Sequence, residues 1–256
     1  MPRPDTRAIW NANASAWTEM SRAGYDVYRD IVNTPAFFEL LPALDGRLGL
    51  DLGCGEGHNT RLLTQLGARV VALDIAETFL SAASSASDEI AFVHADGARL
   101  PFRDAGLHFV TAFMSLMDIA DPEATLVEIA RVLEPGGFVQ FSVVHPVNGT
   151  PIRRWVDDTD GSREALTIGD YFEEGPITEV WTFGTAPDEM RSRHEPFRIP
   201  YERRTLAGWL NAVLQAGLRI DAIAEPHPDE GTAAAFPDIA DCRIAPYFLL
   251  VRARRD

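Results

Sequence analysis

This chain predicts an α/β fold with a mostly parallel, doubly wound sheet, on three observations. Between residues 48 and 145 short apolar strands alternate with helical stretches, the pattern of right-handed βα units. The first strand, Leu50-Asp51-Leu52, runs straight into a glycine-rich turn, Gly53-Cys54-Gly55-Glu56-Gly57, and Asn59–Leu66 then reads as a helix. Asp51, Asp74, Asp96 and the run Met114–Asp118 all fall at strand ends. Ligands of open α/β sheets bind at those carboxyl ends.

The elements follow in order. Residues 7–45 read as helices, with Trp10, Ala14 and Trp17 on one face. Thr34-Pro35 has the form of an N-cap followed by a proline in the first turn, leading into Phe37, Phe38, Leu40 and Leu41. Between these helices lies Gly24-Tyr25-Asp26-Val27-Tyr28-Arg29, whose aromatics either pack on the core or close over a site. The core strands are Leu48–Leu52, Arg69–Leu73, Ile90–His94, His108–Met114 and Gly137–Val144. The helix before the last begins at Asp121-Pro122, buries Leu126, Ile129, Ala130 and Leu133, and ends at Pro135-Gly136-Gly137.

From 146 to about 200 the pattern breaks into Pro-, Gly- and acid-rich sequence with extended pieces at Ile177–Phe183 and Phe197–Glu202. The aromatics Trp155, Tyr171, Phe172, Trp181 and Phe183 argue for an ordered, β-rich insertion over a linker. Thr205 caps a helix carrying Leu206, Trp209, Leu210, Val213 and Leu214 at helical spacing, and Gly217 stops it. Leu218–Ala224 and Tyr247–Ala253 read as two final strands, with 225–246 a surface loop between them.

The glycine turn carries the most chemistry. Without Cβ atoms the backbone turns tightly and a ligand approaches it closely, and the following helix start offers unpaired N–H groups. A dinucleotide fingerprint reads G-x-G-x-x-G, whereas this chain has Gly53-x-Gly55-x-Gly57 after Asp51. That form resembles motif I of the class I S-adenosylmethionine-dependent methyltransferases. Val70-Val71-Ala72-Leu73-Asp74 resembles the family's second strand, His94-Ala95-Asp96-Gly97 the end of its third, and Arg131-Val132-Leu133-Glu134-Pro135-Gly136-Gly137 the turn before its fifth. The motifs keep their order over about 45–145. More loosely, the chain resembles the small-molecule enzymes of ubiquinone and menaquinone biosynthesis.

The resemblance implies a Rossmann-like seven-stranded sheet, mostly parallel with an antiparallel last strand. It implies a helical cap at 1–45, a cofactor-binding core at 46–145, a substrate lid at 146–204 and the rest of the sheet at 205–256. It implies S-adenosylmethionine as cofactor. Asp74 would accept the ribose hydroxyls, although Asp74-Ile75-Ala76-Glu77 also fits a capping box. Asp96 would accept from the adenine amino group or stand as a solvated turn residue. Asp51 would fix the glycine loop and reach the ammonium group, directly or through water, and the Gly53 carbonyl would face the same ammonium. Cys54, Gly55, Gly57, Ile75, Gly97, Met114 and Tyr25 complete the expected cofactor wall. Tyr28, Met117, Trp181, His194, Tyr201 and Arg204 are the acceptor-side candidates.

His145 follows strand five directly, so it is either a general base at the cleft or a hydrogen-bonded structural group. His58 reads as structural or near the methionine end. Cys54 reads as a small loop residue, not a nucleophile. No His/Cys/Asp/Glu set has zinc spacing, so no metal is expected. The arginines Arg153, Arg154, Arg191, Arg193, Arg198, Arg203 and Arg204 form either a solvated face or a grip on a carboxylate-bearing acceptor.

Composition narrows the class. With 38 acidic against 23 basic residues, the net charge of −15 repels phosphate backbones and disfavours nucleic acid. The basic tract Arg252–Arg255 reads as a solvated tail. Two cysteines, Cys54 and Cys242, suit a reducing cytoplasm. Met1-Pro2-Arg3-Pro4-Asp5 lacks the apolar core of a signal peptide, and no run is long enough to span a bilayer. The expectation is a cytoplasmic monomer or homodimer, free of membrane, that methylates a small-molecule acceptor. The competing readings are a nicotinamide-dependent oxidoreductase and a non-catalytic nucleotide binder.

Overall fold

The computed structural model describes residues 5–159 and 161–256. Met1–Pro4, read above for a leader, lie outside the described residues. Helix α1 (Thr6–Arg22) is capped by Asp5, whose side chain accepts the Ala8 N–H at 3.1 Å. One π-helical turn, Arg29–Asn33, feeds directly into α2 (Thr34–Leu40). Thr34 is therefore not an N-cap: its backbone is already helical, at φ −59° and ψ −50°.

The core then runs β1 (Leu48–Leu52), α3 (His58–Gln65), β2 (Arg69–Asp74), α4 (Glu77–Ser84), β3 (Ala91–His94) and β4 (Leu107–Phe113). A 3-10 turn, Leu116–Asp118, precedes α5 (Pro122–Val132) and β5 (Leu133–Val144). Asp121 caps α5 by accepting the Ala124 N–H at 3.0 Å, a contact that contributes about 1 kcal/mol in comparable caps. The insertion folds as two antiparallel hairpins, β6 (Ile152–Asp157) with β7 (Arg163–Gly169), and β8 (Gly175–Trp181) with β9 (Phe197–Arg203). The short α6 (Asp188–Arg191) interrupts the second. After it come α7 (Leu206–Gln215), β10 (Leu218–Ala224), α8 (Glu230–Ala235), a 3-10 segment (Pro237–Arg243) and β11 (Phe248–Arg255).

Seven strands form one sheet in the order β10-β11-β5-β4-β1-β2-β3. Only β11 runs antiparallel, to β5 on one side and β10 on the other. This is the sheet the sequence predicts. Successive residues of a strand face opposite sides, and the core obeys that rule. Phe109 and Phe138 pack with Leu44 and Leu63 on one face. Their neighbours Val110 and Val139 pack with Ile129, Trp209 and Val213 of α5 and α7 on the other. Burying each large apolar side chain contributes roughly 1.5–3 kcal/mol.

Four further features depart from the expectation. The link 95–106 between β3 and β4 contains no helix. Strand β5 begins at Leu133, not Gly137: Leu107 pairs Leu133, Phe109 pairs Phe138, and the Pro-Gly-Gly turn bulges out between them. The segment 225–246 is not a plain surface loop, because Ile239, Asp241 and Cys242 are buried. Arg252–Arg255 is not a free tail either. It completes β11, with the Arg252 Nε donating to Asp221 at 2.8 Å and the Arg254 Nε donating to the other oxygen of that carboxylate.

Gly49, central in β1, lies under the Phe109 ring; a Cβ there would stand 2.2 Å from that ring. Gly49→Ala is expected to lower stability by about 1–3 kcal/mol through overpacking, read as a drop in the urea midpoint. Adding Phe109→Leu should cost less than the sum of the single changes.

Candidate functional site

A cavity of about 610 Å³ opens at the carboxyl ends of β1 to β5, within the usual range for small-ligand sites. Its floor is the glycine loop after β1, Asp74-Ile75 after β2, Ala95-Asp96-Gly97 after β3, the run 113–120 after β4, and Val144 with Asn148 around the end of β5. Its roof comes from three remote segments: the cap 25–29, the lid strands, and residues 238–248.

The loop is pinned from below. The Gly53 and Cys54 N–H groups both donate to the Leu73 carbonyl, at 2.8 and 3.0 Å. Gly53 takes φ +71°, and a Cβ there would stand 2.4 Å from the Ser115 Cβ. Gly55 takes φ +54° with nothing within 4 Å of where its Cβ would be. Gly57 precedes α3 at φ +83° and lies outside the cavity lining.

Two buried carboxylates stand behind the loop. Asp74 accepts the Gly55 N–H at 2.9 Å and the Ala76 N–H at 2.8 Å. It is not the cap of α4, since Ala76 holds that position without a side-chain bond. Burial raises the Asp74 pKa despite those amides. Asp51 accepts from the Thr60 hydroxyl at 2.6 Å and the Thr111 hydroxyl at 3.1 Å. It thereby fixes α3 to β4 and makes no contact with the loop amides. Burial pushes its pKa up to about 6. Asp96 is exposed and accepts the Ala98 N–H at 3.0 Å, in the turn after β3. Burial also drives the Cys54 thiol well above the usual range, which leaves it inert.

Cap and lid meet through aromatic rings. Trp17 of α1 stacks on Trp181 of β8 at 5.0 Å and meets Phe183 and Phe197 edge-on at 5.0 and 5.2 Å. Such pairs contribute about 0.5–1.5 kcal/mol each beyond their buried area. The Tyr28 hydroxyl donates to the Asp238 carbonyl at 2.6 Å and lies 3.0 Å from the Asp241 carboxylate, which Arg163 of β7 also engages. One polar link thus joins cap, lid and the 3-10 segment.

Of the residues singled out in the sequence, Tyr25, Tyr28, Met114, Met117, Trp181 and Tyr201 line the cavity together with Asp51, Gly53, Cys54, Gly55, Asp74, Ile75, Asp96 and Gly97. His58 lines it too. His145, His194 and Arg204 do not. His145 is buried with both ring nitrogens engaged: Nδ1 accepts the Val147 N–H at 3.3 Å, so Nε2 donates to Glu225 at 2.9 Å. It has no free nitrogen to serve as a base. The His194 Nε2 sits 3.2 Å from the Glu19 carboxylate of α1. Arg204 lies over the Trp209 ring at 5.3 Å and pairs with Glu123. Sequence reasoning missed Asp118, Glu179, Asp238 and Asp241, all in the lining. Only Asp118 carried a signal, as the last residue of the strand-end run 114–118.

Residues 50–141 match a methyltransferase domain family. The fold matches the crystal structure of an S-adenosylmethionine dependent methyltransferase from Mesorhizobium loti with a TM-score of 0.73 and 30% identity, over 86% of this chain and 96% of that one. A demethylmenaquinone methyltransferase from Clavibacter sepedonicus is 40% identical over 91 residues, 34% of this chain and 37% of its own length. A malonyl-[acyl-carrier protein] O-methyltransferase from Serratia marcescens is 33% identical over 95 residues, 37% of each. The chain therefore spans well under two thirds of either curated relative.

The two central loop glycines should respond differently to a methyl group. Gly55→Ala is expected to cost only the left-handed backbone term, roughly 1–2 kcal/mol. Gly53→Ala adds a collision with Ser115 and should cost a further 1–3 kcal/mol or so. Urea unfolding of the two variants measures the difference.

Proposed function

The chain belongs to the class I S-adenosylmethionine-dependent methyltransferases, and we propose that it transfers the cofactor's methyl group to a small-molecule acceptor held under the cap and lid. The observation that carries this reading is the convergence of five strand ends and the glycine loop on one cavity of about 610 Å³.

The residues fit the cofactor. Gly55 lines the cavity at a point where any side chain would occupy open space. The carboxylates of Asp51, Asp74 and Asp96 lie on the same floor and suit a ligand bearing an ammonium, a pair of hydroxyls and an amino group. When bound, S-adenosylmethionine supplies an electrophilic methyl group on a positively charged sulfur. In this reading Asp74 accepts from the ribose hydroxyls, Asp96 from the adenine amino group, and Asp51 with the Gly53 carbonyl takes the ammonium. Cys54, Ile75, Gly97, Met114 and Tyr25 shape the walls around it. Tyr28, Met117, Trp181 and Tyr201 border the acceptor's space. The Trp17, Trp181 and Phe183 rings exclude water, which favours attack in line by the acceptor alone.

The acceptor is set outside the matched core. The two curated relatives are named for different acceptors, yet each matches only about a third of this chain, over 91 and 95 residues. The lid at 146–204 and the 3-10 segment therefore select it.

Calorimetric titration with S-adenosylmethionine and S-adenosylhomocysteine, with NAD as control, tests the reading. Micromolar binding of the sulfur nucleotides alone is expected; binding of NAD in their place would overturn it. Asp74→Asn should weaken S-adenosylhomocysteine roughly tenfold or more, with an unchanged circular dichroism spectrum. The pH dependence follows from Asp51. Its folded value, about 6, lies above the ordinary 3.8, so the carboxylate is half ionised at about pH 6 and fully formed only well above it. Affinity should fall as pH drops through 6, and Asp51→Asn should bind more weakly with a flatter profile over the same range.

A further inference from the structure

Opposite the cofactor-side carboxylates, a second set of polar groups lines the cavity: Asp118 from the 3-10 turn after β4, Glu179 from β8 and Tyr201 from β9. Among the described residues these three side chains make no hydrogen bond. The Asp118 Oδ1 is shut away from solvent without a partner. Tyr201 is only 5% exposed. The groups are neighbours: Glu179 and Asp118 both raise the Tyr201 pKa, and Asp118 and Tyr201 also border a second, smaller cleft.

Other arginines near the cavity already serve carboxylates. Arg163 serves Asp241. Arg29 serves Asp26 and Asp30, at 3.8 and 2.7 Å. Arg22 and Arg61 serve Glu56, at 2.7 and 3.0 Å. Three of the arginines read above as a grip on a carboxylate are engaged elsewhere. Arg191 pairs with Asp188, Arg193 with Glu189 at 2.6 Å, and the Arg203 Nε donates to the Gly149 carbonyl at 2.8 Å. Arg153 alone remains on this wall, and it donates to the Asn148 carbonyl at 2.8 Å. Asp118 and Glu179 thus face Arg153, with Arg203 also near Glu179, and among the described residues neither guanidinium makes an ion pair with them. Burial, with Glu179 close by, pushes Asp118 well above the usual carboxylate range, and burial raises Glu179 despite Arg153 and Arg203.

We propose that this wall recognises a basic nitrogen, with the acceptor's ammonium group held between Asp118 and Glu179 and within reach of the Tyr201 hydroxyl. An ammonium offers up to three donors and a positive charge. That answers three acceptors and removes the cost of an uncompensated buried carboxylate. A neutral hydroxyl answers one acceptor and no charge; a carboxylate is repelled. The inference names the acceptor class for the methyl transfer proposed above and rests on that reading.

The test is a set of calorimetric titrations of the full chain, with and without saturating S-adenosylhomocysteine. The probes share one ring and differ in the head group: 2-phenylethylamine, 2-phenylethanol and 3-phenylpropanoate. The amine is expected to bind at least roughly tenfold tighter than the alcohol, with no binding of the carboxylate. Asp118→Asn and Glu179→Gln should each shrink the preference for amine over alcohol, while S-adenosylhomocysteine binds both as it binds the wild type. Equal binding of amine and alcohol, tighter binding of the carboxylate, or an amine preference untouched by both substitutions would overturn the inference. Failure of S-adenosylhomocysteine to bind would count against the cofactor reading instead, and the nucleotide-free titrations would still decide this one.

Discussion

The Asp74 carboxylate receives the Gly55 N–H at 2.9 Å and the Ala76 N–H at 2.8 Å, and the rest of the site is arranged around that clasp. It ties the loop leaving β1 to the turn leaving β2. Behind it, the Leu73 carbonyl takes the Gly53 and Cys54 amides, so the loop is held at three successive residues. Hydrogen bonds to a charged group contribute roughly 1.5–3 kcal/mol each. Burial nevertheless wins, because the Asp74 pKa is raised. The carboxylate is organised but under-solvated, and hydroxyl donors from a ligand would favour its ionised form. A site of this kind is shaped before its ligand arrives.

The parts of that clasp were legible in the sequence because each is local to a strand end, but the hold on the loop reads there as Asp51's, and the structure gives it to Asp74. Period-two apolar runs, a glycine turn and an acid after the second strand need no long-range information. The same holds for the Asp121 and Thr205 caps, each of which answers an amide three residues on. What escaped was decided by remote partners. His145 sits at a strand end, yet its Nε2 donates to Glu225, from beyond β10. Thr34-Pro35 has the letters of a helix start, yet a π-helical turn arrives there already wound. The segment 225–246 reads as polar loop, yet Ile239 and Cys242 bury themselves against Phe37, Phe113 and Phe248. Asp118 and Glu179 become neighbours only when the lid folds back over β4.

The fold and its variable part therefore carry different information. The fold matches the Mesorhizobium loti methyltransferase structure across most of both chains. Cap, lid and 3-10 segment converge from three distant parts of the sequence on one roof, joined by the Trp17–Trp181 stack and the Tyr28–Asp241–Arg163 link. Function resides in such sites and not in the fold. Aromatic rings supply a dry cover with no chemical preference. In the proposed reading, the choice of acceptor falls to the few polar groups left without partners beneath it.

The central claim is that one clasped loop, with Asp74 behind it, is where the cofactor sits. Amide chemical shifts of the 15N-labelled protein on titration with S-adenosylhomocysteine test it residue by residue. The account predicts the largest shifts at Gly53, Cys54, Gly55 and Ala76, with smaller ones at Asp96 and Gly97. Largest shifts away from these strand ends, or none at saturating nucleotide, would contradict it.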